Sequence, residues 1–334
     1  MNPKLMRTKP KSACLCCGAE GYLLYGKLKD RLFGAPGHWS IKRCTSPDCK
    51  LMWLDPAPIS DDIHFAYQNY YTHAKSNHTQ SSILSRIARA YQSYQFKYKP
   101  DDVNTLMRWF GFFLAALPFF REHFDYPFVY LKGIKRGKLL ELGVGNGETL
   151  RKFLDWGWDA EGLDFDPKAV EVCTKLGLKV EEGDLTSRRF KNESFDAMFS
   201  SHVLEHVSDP LALMIESMRV LKRGGVFVAV TPNGNSLLHW LFKSNWRGLE
   251  PPRHLNIFTI NALISSAKEA GFSHVEVVTS NFSASGVFFY SAYLTGMKKT
   301  FLLRILANLA RFALTLLHAF FKGSGEELIL VAHK

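Results

Sequence analysis

Between residues 137 and 280 the chain alternates two hydrophobic rhythms. KLLELG, AEGLDF, LKVEEGD, SFDAMFSS and VFVAVTP are short apolar runs of strand length, whereas ETLRKFLDWG, PKAVEVCTKLG and PLALMIESMRVLKRGG repeat apolar residues at the three- and four-residue steps of a helix face. Strands alternating with helices predict βαβ units around a parallel sheet, an α/β fold of Rossmann-like kind. NALISSAKEAGF then reads as a helix, HVEVVTS as a strand, residues 287–322 as a helical insertion and EELILVAHK as a seventh strand. Upstream, SSILSRIARAYQSYQFKYKP reads as a helix, and WFGFFLAALPFF is an apolar run interrupted by Pro118 and too short to cross a bilayer. The pattern predicts three parts: a module over 1–58, a helical, aromatic and basic connecting region over 59–136, and the α/β domain over 137–334.

One helical stretch is unusual. Over residues 301–322 the polar positions Arg304, Asn308, Arg311, Thr315, His318 and Lys322 follow at steps of four and three, and every other position is apolar. The apolar face is broad enough to need a cover of protein or of lipid. No acidic residue lies between Asn281 and Ser324, so an anionic headgroup surface suits the stripe at about 1 kcal/mol per basic residue. An apolar cover of protein is the other reading, with the two insertions packed together as a lid or as an oligomer interface.

Composition refines this picture. The 334 residues are 46% hydrophobic, enough for a sizeable core and too many for a disordered chain. The first thirteen residues are basic without an apolar core segment, so a secretory leader is not expected and a cytoplasmic location is, with peripheral attachment at the inner membrane face as the alternative. The net charge of +11 sits on the flanks: residues 1–136 carry 20 Lys and Arg against 10 Asp and Glu, residues 137–280 carry 16 against 19. A slightly acidic centre argues against nucleic acid as the partner.

Five of six cysteines fall before residue 50. Cys14 and Cys17, then Cys44 and Cys49, form two clusters at the spacing of a four-thiolate site, which predicts a structural Zn²⁺ that stabilises a piece too small for its own core. Cys16 competes as a ligand with its neighbours, and Cys173 reads as a small buried apolar residue.

The candidate chemistry is concentrated after the first strand of the α/β domain. Glu141-Leu-Gly143-Val-Gly145-Asn-Gly147 lies between strand and helix, where alternate glycines allow a sharp turn and close approach of a ligand. The third glycine comes one residue earlier than in a dinucleotide fingerprint, and an acid precedes the loop, which suits a cation better than a diphosphate. Asp164 ends the second strand, where a carboxylate reaches ribose hydroxyls, and Asp184 ends the third, where one reaches an adenine edge.

With ELGxGxG, Asp164, the Asp184–Leu185 pair and the RVLKRGG stretch in this order, residues 137–280 resemble the class I S-adenosylmethionine-dependent methyltransferases. The resemblance implies a seven-stranded methyltransferase sheet, with Glu141, Gly143, Gly145, Gly147, Asp164, Phe165, Asp184 and Leu185 at the cofactor. A core aromatic is the competing reading of Phe165. Ser201, at the end of the fourth strand, is a further cofactor contact by resemblance, or a helix cap.

SSHVLEHVSDP resembles the branch of the family that methylates sugars, quinones and lipids. If a helix starts near His202, then His202 and His206 share a face beside Glu205, where two imidazoles and a carboxylate can orient an acceptor and take its proton. His206 as a packing residue is the plainer alternative, and the H-E-x-x-H order of zinc hydrolases is absent. Trp246 to His254 forms a second candidate segment at the acceptor, from which His254 is the catalytic candidate and Arg253 its neighbour. The cysteine module, LMWLDPAP and the methyltransferase core together resemble enzymes of bacterial polysaccharide and deoxysugar synthesis, although the further C-terminal domain of the sugar C-methyltransferases has no counterpart here. The expected function is methyl transfer from S-adenosylmethionine to a sugar, glycolipid or other amphiphilic or lipid-linked small molecule. An RNA methyltransferase that holds substrate through the zinc module and basic N-terminus is the alternative, and a non-catalytic cofactor-binding protein is the third reading.

Overall fold

The computed structural model describes residues 6–68, 83–96, 104–126, 128–318 and 320–334. Residues 1–5 of the basic N-terminus, most of the polar start of the expected connecting region and the last four positions of the expected 81–100 helix lie outside the described residues.

Along the chain come strands β1 (Thr8–Lys9), β2 (Gly21–Leu28), β3 (Trp39–Cys44), β4 (Met52–Leu54) and β5 (Ala57–Pro58), then helices α1 (Ile83–Gln95), α2 (Thr105–Ala115) and α3 (Pro118–Asp125). The α/β run follows: β6 (Lys138–Leu142), α4 (Glu148–Asp155), β7 (Asp159–Asp164), α5 (Pro167–Lys175), β8 (Val180–Glu182), β9 (Phe195–Ser201), α6 (Pro210–Val220) and β10 (Leu221–Pro232). The chain ends with α7 (Leu237–Phe242), β11 (Asn256–Ile257), α8 (Ile260–Glu269), β12 (His274–Ser280), α9 (Ala284–Leu294), α10 (Phe301–Leu317) and β13 (Glu327–His333). All seven expected strands of the α/β region are present, in one sheet of order β12-β13-β10-β9-β6-β7-β8. The stretch LKRGG, expected to close a helix, instead opens β10, because α6 ends at Val220.

The chain forms two compact units, one of residues 72–200, 216–228 and 333–334, the other of residues 1–71, 201–215 and 229–332. In the first, β6 runs parallel to β7 and β9, and β7 parallel to β8, so the carboxyl ends of these strands share one edge. Leu139 and Leu140 of β6 are fully buried, as a strand flanked on both sides requires, at roughly 1.5–3 kcal/mol each. Helices α1, α2 and α3 make a separate small core around Ile87, Tyr91, Ala115 and Phe124. Pro118 sits in the first turn of α3, where its missing N–H has no partner to lose, and so divides the apolar run in two as expected.

In the second unit the antiparallel sheet β11-β4-β3-β2 joins the cysteine-bearing stretch to residues two hundred positions later, with Asn256 opposite Trp53. Met6, Trp39, Ile41, Met52 and Leu54 share one core with Leu238, Trp246, Leu249 and Ile257. A module over 1–58 is therefore not packed by itself, since half of its core comes from the chain after β10.

Helix α10 starts at Thr300, whose side chain accepts from the Leu303 N–H at 3.1 Å. Leu303 and Ala307 pack on Phe289 and Ala292 of α9. The expected polar stripe is turned partly inward: Arg311 is buried, its guanidinium 5.6 Å from the Phe282 ring, and His318 Nε2 lies 3.1 Å from Thr279 Oγ1. Phe301, Leu302, Leu309, Phe312 and Leu316 face outward, each at least 48% exposed. Among the described residues no helix is long and apolar enough to cross a membrane.

Candidate functional site

The glycine loop follows β6 in the first unit. Gly143, Gly145 and Gly147 all have positive φ, at 72°, 55° and 78°. At Gly147, which caps α4, a Cβ would meet Leu178 Cδ1 at 2.4 Å and Cys173 Sγ at 3.0 Å, so both conformation and space demand glycine. The Asp164 carboxylate is buried beneath the loop and accepts the N–H groups of Gly145 and Asp166, each at 2.9 Å. It thereby fixes the loop. Glu141 is fully enclosed; burial first, and the neighbouring Asp164 second, push its carboxyl well above the usual range, and its Oε2 has no hydrogen-bond partner. An orphan carboxylate oxygen beneath a backbone cradle fits a cationic nucleoside such as S-adenosylmethionine, and the left-handed glycines leave room for it.

The remaining expected cofactor residues divide. Phe165 is 53% exposed, which removes the reading as a core aromatic. Asp184 caps its own turn, accepting from the Ser187 N–H at 2.8 Å and from the Thr186 hydroxyl. Burial pushes its carboxyl up, but these donors outweigh it and hold it below the usual range. Leu185 is buried. Ser201 ends β9 and caps no helix, because the segment that follows is a turn.

That turn corrects the expectation that His202 and His206 share a helix face. His202 adopts φ 56°, the left-handed region, and α6 starts only at Pro210. The rotated ring reaches between two buried carboxylates: Nδ1 donates to Glu205 Oε1 at 2.9 Å and Nε2 donates to Glu327 Oε1 at 3.1 Å. Burial lowers the affinity of His202 for its proton, but the two hydrogen bonds and the two charges outweigh it and raise the pKa to about 10. An imidazolium with both N–H groups committed has no lone pair for an incoming proton. Glu205, buried and receiving the Thr231 hydroxyl on Oε2 at 3.0 Å, falls to about 2 because His202 overcomes the effect of its burial.

His206 and His254 are different. His206 Nδ1 lies 3.1 Å from the Arg253 carbonyl, and His254 Nδ1 lies 2.7 Å from the Gly248 carbonyl. A carbonyl only accepts, so each Nδ1 bears the proton and each Nε2 keeps a lone pair. Tyr67 Oη lies 3.0 Å from His206 Nδ1, and the His206 and His254 rings meet edge to face at 4.7 Å. Burial holds both imidazoles below their ordinary pKa, His254 the more strongly, and they are neutral at pH 7.

These groups line one cavity of about 340 Å³ within the second unit, together with Arg247, Glu250, Glu326, Glu327 and, from the region of α9, Ser283, Val287 and Tyr290. The segment from Trp246 to His254 does line it, but Arg253 is a tie rather than a ligand group. It is fully buried, with Nε on Glu250 Oε1 and Nη1 on both Asp30 Oδ2 and the Ala66 carbonyl, each at 2.8 Å. Sequence reasoning missed Glu326, Glu327 and Tyr67. Two acids heading an apolar strand were the available signal for the glutamates; Tyr67 offered none.

A second side-chain cluster lies in the same unit. The Sγ atoms of Cys14, Cys17, Cys44 and Cys49 fall within 4.8 Å of one another, with no disulfide formed. Four convergent thiols fit tetrahedral Zn²⁺, and Cys16 lies beside them, its side chain hydrogen-bonded to Cys14 and Cys49 and its Sγ 3.2 Å from Ser266 Oγ. Glu205, His206 and His254 also have spacing compatible with a cation, but both Glu205 oxygens are already engaged by His202 and Thr231.

A family model described as a methyltransferase domain matches residues 124–277. An uncharacterised protein of Methanocaldococcus jannaschii is 28% identical over 149 residues, covering 45% of this chain and 71% of its own length. The ubiquinone biosynthesis O-methyltransferase of Paramagnetospirillum magneticum is 31% identical over 159 residues, again 45% of this chain, and the chain spans 61% of that enzyme. A solved S-adenosylmethionine-dependent methyltransferase of Archaeoglobus fulgidus superposes with a TM-score of 0.45 at 16% identity, over 68% of this chain and all of that one. The glycine cradle and its two acids thus lie within a methyltransferase domain that this chain carries over residues 124–277.

Proposed function

We propose that the enzyme methylates an amphiphilic small molecule, a glycolipid or other lipid-linked acceptor, at the cytoplasmic face of a membrane. The observation that carries this reading is the outward apolar face of α10, joined to the cavity through α9. Helix α9 packs Phe289 and Ala292 against α10, while Val287 and Tyr290 line the cavity. An acceptor tail lying along this surface places its head in the cavity. Lys298, Lys299, Arg304 and Lys322 border the apolar face, and an anionic bilayer satisfies both kinds of surface at once.

In this reading Glu141, Gly143, Gly145, Gly147, Asp164, Phe165, Asp184, Leu185 and Ser201 hold S-adenosylmethionine, which supplies an electrophilic methyl group when bound. His206 and His254 present Nε2 lone pairs to the acceptor, and His202 is a fixed cation held between Glu205 and Glu327. Cys14, Cys17, Cys44 and Cys49 hold a structural zinc that ties β2–β4 to the rest of their unit. Residues 1–58, 59–136 and 137–334 then serve as a zinc-binding module, a helical connecting region and the methyltransferase domain.

Labelled S-adenosylmethionine incubated with a total lipid extract tests the activity; label in a lipid-soluble product is expected, and label only in water-soluble product refutes the amphiphilic acceptor. Calorimetry is expected to show cofactor binding that Gly145→Arg abolishes, because an arginine there fills the cradle.

A further inference from the structure

We propose that a further cavity, between the end of β2 and the end of α9, binds the phosphate or diphosphate group that joins an acceptor head to its lipid. The inference rests on the acceptor reading above and deepens it by naming the anionic link.

The cavity has a volume of about 340 Å³, in the range of ligand sites, and its lining residues all belong to the second unit. Leu28, Trp246 and Leu294, buried or half-buried, line it together with the exposed cations Lys27, Lys29 and Arg31. The end of β2 gathers these cations. Its pairing with β3 shifts register between Tyr25 and Leu28, Lys27 takes φ 56°, and the chain then turns around Asp30, whose Oδ1 accepts the N–H groups of Leu32 and Phe33 at 3.1 and 3.0 Å. Arg31 is held in place: Nη1 donates to the Leu294 carbonyl at 2.7 Å and Nη2 to Asn245 Oδ1 at 2.6 Å. Neither partner is charged, so the guanidinium charge stays available to a ligand.

The acids that line the cavity do not cancel this charge. Asp30 pairs with Arg253 at 2.8 Å, and Glu250 pairs with Arg253 and with Arg247, so two carboxylates already meet two guanidiniums. Lys27, Lys29 and Arg31 are left over, and among the described residues no carboxylate forms an ion pair with any of them. Like charges gathered in a cleft with apolar walls focus their field on an anion. A phosphate monoester brings roughly 1.5 to 2 negative charges and three acceptor oxygens at pH 7, which suits three cations, whereas a carboxylate brings one charge.

Placement selects the phosphate. Tyr290 lines the histidine cavity and Leu294 lines this one, a helical turn or about 6 Å apart along α9, and Arg247 and Glu250 line both. After Leu294 the chain carries Lys298 and Lys299, the latter 4.1 Å from the Tyr293 ring centre, and then opens α10 with exposed Phe301 and Leu302. Polar cavity, cationic cavity and apolar helix thus follow one another along α9 and α10, in the order of head, phosphate and tail.

Calorimetry with inorganic pyrophosphate, on the protein without cofactor, tests the site. Binding is expected that weakens as salt rises, that acetate does not reproduce, and that Lys27→Gln with Lys29→Gln lowers at least about 10-fold. Both lysines are exposed, so the variant should keep its thermal stability. Lys9→Ala with Lys268→Ala, at exposed positions outside the cavity, removes the same charge and should leave the affinity within about twofold. Absence of pyrophosphate binding overturns the proposal, and so does an equal loss in the two double variants, which would mean a general attraction of anions to a basic chain. Vesicles test the lipid source: phosphatidylcholine carrying a polyprenyl phosphate should bind more tightly than phosphatidylcholine carrying equal charge as oleate, and Lys27→Gln with Lys29→Gln should abolish the difference. Equal binding of the two vesicles overturns the lipid link. In methyl transfer to a lipid extract the same variant should raise the apparent acceptor KM at least about 10-fold with kcat within about twofold, and an unchanged KM overturns the role in acceptor binding. If pyrophosphate binds as expected and the wild type labels no lipid, the anion site stands and the acceptor reading falls.

Discussion

The three histidines around the cavity differ in charge because of what their ring nitrogens meet. A carbonyl fixes a tautomer and leaves the imidazole neutral, as at His206 and His254, whereas two buried carboxylates fix a cation, as at His202. The His202 proton is held more tightly in the folded protein, about 10, than in the unfolded chain at 6.5. Its stabilising contribution is therefore complete below pH 6.5, declines as pH rises, and is gone above about 10. Glu205 adds the opposite limb, present above 4.5 and lost as pH falls towards 2. His202→Gln should lower stability by about 2 kcal/mol at pH 6, less than for a fully buried pair because the ring is 42% exposed. Urea unfolding at pH 6 and pH 9.5 checks this, and the gap between wild type and variant should narrow at the higher pH. Sequence put His202 and His206 beside Glu205, since these lie within five positions, and gave His254 only as part of a separate segment. It did not reveal their separate roles, because Glu327, Arg253 and Gly248 come from distant parts of the chain.

At the scale of the element, α10 was legible as a helix with one polar stripe, and its orientation was not. Periodicity reports which residues share a face and is silent on which face meets the protein. Packing on α9 through small Ala292 and Ala307, and burial of Arg311 beside Phe282, turned part of the stripe inward and the broad apolar face out. Because Leu309 and Phe312 are already exposed, Leu309→Lys with Phe312→Lys should leave thermal stability within about 0.5 kcal/mol of wild type. Sedimentation with anionic vesicles should then fall at least tenfold for the double variant, and unchanged sedimentation would mean that this face serves another copy of the chain. The cap at Thr300 has a simpler consequence: Thr300→Ala should lower stability by about 1 kcal/mol, read from denaturant unfolding.

Across the whole molecule, the cysteine region behaves as a long-range clasp. Thr259 Oγ1 donates to the Cys49 carbonyl at 2.6 Å, and β11 adds to β4, so residues near 50 and near 257 share hydrogen bonds as well as a core. Cys44→Ser should reduce bound metal from about one zinc per chain to none and lower stability by several kcal/mol, seen by metal analysis and calorimetric melting.

Sequence alone determined the strands and helices of the α/β domain, the glycine loop with Glu141 and Asp164, and the four metal-type cysteines, because each is written in spacings of a few residues that local geometry enforces. Tertiary structure decided the turn at His202, the glutamates that charge it, the shared core of the cysteine region and the outward face of α10. Those features depend on groups up to two hundred positions apart, whose meeting follows from the packing of the folded chain and leaves no short-range pattern.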